Sequence, residues 1–309
     1  MPRRNPLVIL CYHGLTQYPE HHLHDFCFVT PEKFRNDLRC VRKLGWTLAS
    51  LQEAIVALRR GDLRWPTVVI TFDDGFKSVL SLAEPILRGQ SAHATIYLPT
   101  HFILAQTPLW FTHVIHSIRS TKKSRFNFYG RSFELSDHFY KQDASRRIQN
   151  FLRELHPQAI DIVMAQLAQQ LDVELSNSNQ EHQLMSIDEC KRALQSGVFA
   201  LGAHSAHHYI HSKISQRELR DEISQSQSVI RELYQSAQGG VKTLSMPFHY
   251  AYPNGRRRDI SESCFELLMQ SGVESAVTTI SGWNWDLRAP LSLKRYCVGP
   301  QTRIEEILS

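Results

Sequence analysis

The stretch VVITFDDGF, residues 68–76, decides the fold and raises the question of function. Val68, Val69, Ile70 and Thr71 form a short β-branched run bounded by a glycine, the pattern of a strand buried in a parallel sheet. Asp73 and Asp74 follow at its carboxyl end. Neighbouring side chains on a strand point to opposite faces, but where the strand ends two adjacent acids can converge on one crevice. Two carboxylates a few ångströms apart repel, so one is neutralised or a cation holds them. A solvated Asp-Gly turn explains the dipeptide as well, and the rest of the chain must decide.

Upstream, NPLVILCYHG reads as a strand ending at Tyr12 and His13. TPEKFRNDLRCVRKLGW reads as a helix with Thr30 as cap, Pro31 at the first helical position and Gly45 at the stop. Leu51–Arg60 is a second short helix. Downstream come a helix from about Phe76 to Arg88 and a strand, ATIYLPT, at 94–100. Strand and helix alternate, which predicts parallel β/α units. Residues 101–185 break the rhythm. LWFTHVIHSI and ASRRIQNFLRELHPQAIDIVMAQLAQQL look helical, with a short aromatic hairpin, RFNFYGRSFEL, between them. This reads as a mainly helical insertion over the sheet's edge or mouth, with SNSNQEHQ (176–183) as its exit loop.

The rhythm then resumes. MSIDECKRALQSG is a helix, VFALGAHSAHH a strand running into a histidine-rich turn, and a long amphipathic helix begins at a Ser215 cap. LSMPFHYAYPNG is a strand, DISESCFELLMQSG a helix, and VESAVTTISG and LKRYCVG are the last strands. Residues 1–309 are thus expected to form one α/β domain carrying the insertion. Ligands in such folds collect at the carboxyl ends of the strands. His13, Asp73, Asp74, His204, His208, Tyr252 and Arg295 all fall there, and that coincidence favours catalysis over a turn.

A hydrophobic fraction of 42% and a charged fraction of 21% in 309 residues are those of a soluble globular protein with a sizeable core. A net charge of +5 favours an anionic partner only weakly. RSTKKSRFNFYGR (119–131) mixes basic and aromatic residues as nucleic-acid binders do, but a solvated hairpin edge accounts for it, and no nucleic-acid partner is expected. The cysteines, Cys11, Cys27, Cys40, Cys190, Cys264 and Cys297, are widely spaced without a CxxC, so they read as buried thiols in a reducing compartment. MPRRNP has the charged start of a signal peptide. The apolar run Leu7–Cys11 is too short to complete one, and no stretch approaches a membrane span. A cytoplasmic location is the expectation; no oligomeric state is.

His204 and His208 sit four apart in HSAHH, a spacing that puts two imidazoles on one face of a helical turn. With one carboxylate they leave open positions for water and substrate, the pattern of a catalytic metal site. His207 and His211 are alternative ligands on spacing alone. If one aspartate holds the ion, its neighbour is free to take a proton from the attacking water. His13 is then the natural donor to the leaving group. These parts suit hydrolysis of an amide or ester.

TFDDGF together with HSAHH resembles the polysaccharide deacetylase family, the NodB-homology or carbohydrate esterase family four enzymes. The resemblance implies a distorted (β/α) barrel of about seven parallel strands. It makes Asp73 the general base and Asp74, His204 and His208 the ligands of one divalent ion, with zinc expected and cobalt or nickel as alternatives. Ser205 would hold the second-motif turn. In YAYPNG, the matching third motif, Tyr252 would supply an oxyanion-hole N–H, with Pro253 and Gly255 shaping the loop. Ala251 stands where many members have an arginine paired with the base, and Arg295 on the last strand is a candidate to replace it or to contact substrate. The usual carboxyl-terminal histidine motif is missing. In the circularly permuted poly-N-acetylglucosamine deacetylase branch it comes first in the chain, and LVILCYHG fits, making His13 the acid. Trp110 is either core packing or a sugar platform over the cleft. The implied activity is removal of N-acetyl groups from N-acetylhexosamine units of a glycan, glycolipid or their precursor. The alternatives are an amidohydrolase or esterase on a non-glycan substrate, and a sugar-binding protein without catalysis.

Overall fold

A computed structural model describes residues 5–23, 25–174, 182–237 and 248–309. Most of SNSNQEHQ and the start of LSMPFHYAYPNG lie outside the described residues. The strands of the central sheet are β1 (Leu7–Tyr12), β2 (Thr47–Ala49), β3 (Thr67–Phe72), β4 (Ala94–Leu98), β5 (Phe199–Ala203), β6 (His249–Ala251), β7 (Ser275–Val277) and β8 (Tyr296–Cys297). Every pairing among them is parallel. Seven run in the order β7-β6-β5-β4-β3-β1-β8, and β2 pairs with the first half of β3. All six residues of β1 and all six of β3 are buried. That is why those segments read as continuous apolar runs rather than alternating ones.

The last strand segment curls the sheet into the expected distorted barrel. Leu293 hydrogen-bonds to Ala276 and Thr278 at the β7 edge, while Tyr296 and Cys297 pair with Leu10 and Cys11 of β1. A single extended stretch therefore touches both edges, and Arg295 lies between them.

Helices cover the outside. In α1 (Pro31–Lys43) the Thr30 hydroxyl accepts from the Lys33 N–H, Pro31 begins the helix, and Gly45 at φ 79° follows its end. These are the signals read from the sequence, each meeting an orphan group at a helix terminus. In α2 (Leu51–Arg60) Ser50 and Glu53 form a capping box. After β3 a helical stretch widens into a π-turn at Val79–Ala83 before α3 (Glu84–Gly89).

Between β4 and β5 lie α4 (Thr100–Ala105), α5 (Trp110–Ser120), α6 (His138–Arg153), α7 (Pro157–Leu171) and α8 (Ile187–Gln195). The long helical run read at 144–171 is two helices, because Pro157 starts a new one with His156 as its cap. Arg125–Phe128 and Arg131–Glu134 pair antiparallel as the expected hairpin. Its edge is a solvated one, with Arg125 bonded to Glu134. After β5, Ser215 and Glu218 cap α9 (Gln216–Ala237) reciprocally. The six cysteines are all free thiols. Among the described residues no helix is long and apolar enough to cross a membrane.

Candidate active site

The barrel brings three strand ends to one place. His13 directly follows β1, Asp73 and Asp74 follow β3, and His204 follows β5. These four residues, with His208, line one cleft of about 880 Å³. Its outer wall comes from α5 and α6 and from the loop around Asp25.

The backbone at these positions is unusual. Asp74, Ser205 and His208 take left-handed φ values of 72°, 59° and 56°, and Asn254 in the third motif takes 58°. Left-handed backbone at residues other than glycine costs free energy and persists where the surroundings impose it, commonly at functional sites. At Asp74 the consequence is visible. The left-handed turn breaks strand alternation, so both carboxylates reach the cleft. Gly75 continues the turn at φ 70°, and a Cβ there would lie 2.7 Å from Leu98 Cδ2.

Asp74 Oδ1 lies 3.6 Å from His204 Nε2 and 3.4 Å from His208 Nε2. The three donor atoms fall within 4.8 Å of one another. His204 Nδ1 lies 2.8 Å from the Ala251 carbonyl. A carbonyl only accepts, so Nδ1 carries the proton and Nε2 offers its lone pair to the cluster. Asp74 Oδ1 is buried without a hydrogen-bond partner. Burial and the neighbouring Asp73 charge push the Asp74 carboxyl well above its usual range. Burial, then His204, pushes the His208 imidazole well below its own. A carboxylate and two neutral imidazoles converging on one point, with an unpaired buried oxygen among them, fit a divalent cation.

Asp73 has a different environment. Arg295 donates from Nη1 to Oδ1 at 2.8 Å and from Nη2 to Oδ2 at 2.7 Å. Burial opposes ionisation of Asp73, but the Arg295 guanidinium outweighs it, helped by His204, and the carboxyl is held well below the usual range. Two adjacent aspartates are thus driven apart, one ionised by a cation within the protein and one lacking such a partner. His13 lies on the other side of Asp73; its donor atom, those of Asp73 and Cys11 fall within 4.8 Å of one another. Burial lowers the His13 imidazole to about 4, against the pull of Asp73.

Several expectations need correction. Arg295 is fully buried, its Nε donates to the Thr278 carbonyl and its Nη1 to Thr71 and Asp73, and it does not line the cleft. It is the partner of Asp73, and its burial leaves it without a surface on the cleft that could meet a substrate. The Tyr252 N–H donates to the Val277 carbonyl at 3.2 Å and its hydroxyl to the Leu291 carbonyl at 2.8 Å. With both donors committed and the ring buried, Tyr252 ties β6 to β7 and has no donor left for an oxyanion. Asn254, two residues on, is the third-motif residue lining the cleft. His207 pairs with Glu222, and His211 with the Tyr250 hydroxyl and Cys264 Sγ, so neither belongs to the ligand cluster. Trp110 lines the cleft wall and also packs on the core, with the Arg153 guanidinium 5.7 Å from its ring centroid.

Arg153, Asp25 and Arg256 line the cleft as well and escaped the sequence reading. Asp25 and Arg153 sit in stretches without a motif, and Arg256 directly follows the third; the packing of α6 and two loops against the barrel mouth brings them near. The helical phase of Arg153, beside buried Leu152 and Gln149, was the one available signal.

The family model for polysaccharide deacetylases matches residues 132–274, which include HSAHH and YAYPNG; the aspartate pair and His13 lie before the matched stretch. Solved structures share the architecture across nearly the whole chain. IcaB from Ammonifex degensii superposes with a TM-score of 0.62 at 18% identity, over 98% of this chain and 96% of that one. The Streptococcus pyogenes deacetylase PplD, solved with acetate, gives 0.62 at 17% identity, over 99% and 98%. The BpsB deacetylase domain from Bordetella bronchiseptica gives 0.55 at 14% identity, over 96% and 98%. No curated protein matches the chain in sequence. Residues 132–274 thus resemble polysaccharide deacetylases in sequence, and the fold of nearly the whole chain is that of the solved deacetylases. His13 follows the first strand in the chain, ahead of the aspartate pair and HSAHH.

Proposed function

We propose that the protein is a metal-dependent N-deacetylase acting on N-acetylhexosamine units of a glycan, glycolipid or glycan precursor, with zinc as the expected ion. The observation that carries this reading is the division of labour between adjacent aspartates: Asp74 converging with His204 and His208, and Asp73 paired with Arg295. When bound by Asp74, His204 and His208, a divalent ion lowers the pKa of water and polarises an amide carbonyl. Asp73, ionised and beside that point, takes the proton of the attacking water. His13 faces the same space and delivers a proton to the departing amine. Burial disfavours the imidazolium at rest, so the proton His13 donates arrives during turnover, with Asp73 as its neighbouring source. The cleft is lined by Gln142, Asn150, Arg153 and Arg256, which suit a hydroxyl-rich substrate.

The test is acetate release from N-acetylglucosamine oligomers by zinc-loaded protein, with Asp73→Asn alongside. Release by the wild type and its loss in the variant support the reading. Equal release by both would remove Asp73 from the role of base, and no release from any N-acetylated sugar would overturn the deacetylase assignment.

A further inference from the structure

A second cavity, of about 370 Å³, adjoins the cleft and shares Trp110, Arg153, His208 and Asn254 with it. Trp110 and Arg153 form the partition: the guanidinium stands over the indole and is held from behind by Gln149 and Asn150. Both spaces mix polar and apolar walls. The cleft carries Asp25, Gln142, Asp143 and Arg146 beside Phe26, Phe111 and Phe139, whereas in the smaller cavity Phe102, Leu155, Ile160, Met164 and Ile210 give an apolar stretch, with His101, His113, Asp161 and Lys213 on the rest of its wall. His208, whose Nε2 points to Asp74, is the place where the apolar space meets the reacting centre.

An amide being hydrolysed has two sides, an amine that here belongs to a sugar and an acyl group. A hydroxyl-rich sugar belongs in the polar cleft, since burying its hydroxyls against aliphatic walls would leave them without partners. The acyl side has only carbon beyond its carbonyl. A single methyl occupies a volume on the order of one water, about 30 Å³, so the acetyl group leaves most of this cavity unfilled.

We infer that the apolar cavity seats the acyl chain of the substrate, so that the protein hydrolyses N-acyl groups longer than acetyl from amino sugars. The inference rests on the deacetylase reading of the site. The reaction is ordinary amide hydrolysis: water forms the new C–O bond, the C–N bond breaks, the amine takes a proton, and a fatty carboxylate leaves. The chain runs from the carbonyl past His208 and Trp110 towards Ile160 and Met164, displacing water at each methylene.

Two measurements test this. The first is binding of N-acetyl-, N-butanoyl- and N-octanoylglucosamine by calorimetry to chelated protein, which turns nothing over. Each buried methylene is worth about fourfold in affinity, so N-octanoylglucosamine binds at least tenfold more tightly than the acetyl compound. Ile160→Trp, and independently Leu155→Trp, fill the cavity and erase that gain while leaving acetyl binding within about twofold. Octyl N-acetylglucosaminide, with its chain on the aglycone, gains nothing. The second is turnover of the same amides by zinc-loaded protein, in which kcat/KM rises from acetyl to octanoyl and falls back in both variants. Equal binding of all three amides, or a gain that both tryptophan variants leave untouched, overturns the acyl assignment. So does a gain seen with the octyl glycoside alone, which makes the cavity an aglycone site. Chain-length-dependent binding without hydrolysis of any amide sinks the deacetylase reading and leaves the cavity's ligand class standing.

Discussion

Arg295 holds Asp73 with two hydrogen bonds of 2.8 and 2.7 Å across 222 positions of sequence, both groups buried at the barrel's closing seam. Ala251, in the third motif, is buried in β6 and offers no side chain that could pair with Asp73. The cation comes from the last strand instead, and it does so through the same segment that joins β7 to β1. The Asp73 ion pair and the barrel closure therefore depend on one segment.

Removing Arg295 should unfold the site before it alters the chemistry. Arg295→Met leaves the Asp73 carboxylate buried without its partner, and breaking one side of a buried ion pair typically costs about 3–5 kcal/mol. Urea denaturation of the metal-free protein should show a loss of that order. The double variant Asp73→Asn with Arg295→Met should recover part of it, because the stranded charge is gone. A double variant no better than the single one would mean that Arg295 matters for packing alone.

Asp73→Asn keeps an oxygen for Arg295 and removes the base. Turnover should fall by about 10²–10⁴-fold, while zinc content stays near that of the wild type, since Asp74, His204 and His208 are untouched. Mass spectrometry under native conditions reports the ion and acetate release the rate. Loss of the ion together with activity would assign Asp73 to the ligand set.

Metal content separates the three ligands from their histidine neighbours. His204→Ala and His208→Ala should each lose most of the bound ion after zinc loading and dialysis, whereas His207→Ala should retain it. The reason is structural: His207 is turned away to Glu222. Equal retention by all three variants would contradict a site built on Asp74.

Acid should destabilise the fold through histidines remote from the cleft. His211, enclosed by Tyr250 and Cys264, and His249, held by Ser275 and Gln52, are lowered by burial to about 3 and about 4. The unfolded chain takes up protons at both positions below about pH 6.5, while the folded chain stays neutral there. Their contribution is complete above that pH and is lost as pH falls towards the folded values, by up to about 1.4 kcal/mol per unit for each group. Urea midpoints at pH 7, 6 and 5 should decline, and His211→Gln should flatten the decline. An unchanged slope in that variant would exclude His211 as a source.

Much of the molecule was legible because local signals and the tertiary arrangement agree. Thr30, Pro31 and Gly45 mark α1, Ser215 marks α9, and the apolar run before Asp73 is β3 to the residue at its end. The motif residues His13, Asp73, Asp74, His204 and His208 do meet in one cleft, because each follows a strand of one parallel sheet. The oxyanion role expected of Tyr252 failed for a reason no motif encodes: its N–H is consumed by pairing with β7. Trp110 and Arg153 meet only because α5 and α6 pack side by side over the barrel mouth.

By itself, then, the sequence determined what depends on neighbours in the chain: the alternation of buried strands and capped helices, and the placing of acids and imidazoles just past strand ends. Periodicity and capping act over a few residues, so they can be read in line. Tertiary structure alone decided which groups those side chains face. The pairing of Asp73 with Arg295, the left-handed turns at Asp74 and His208, and the apolar cavity behind Trp110 arise from contacts between segments far apart in sequence. Burial then sets their charge states, because the free energy of a carboxylate or an imidazole depends on what surrounds it once water is gone.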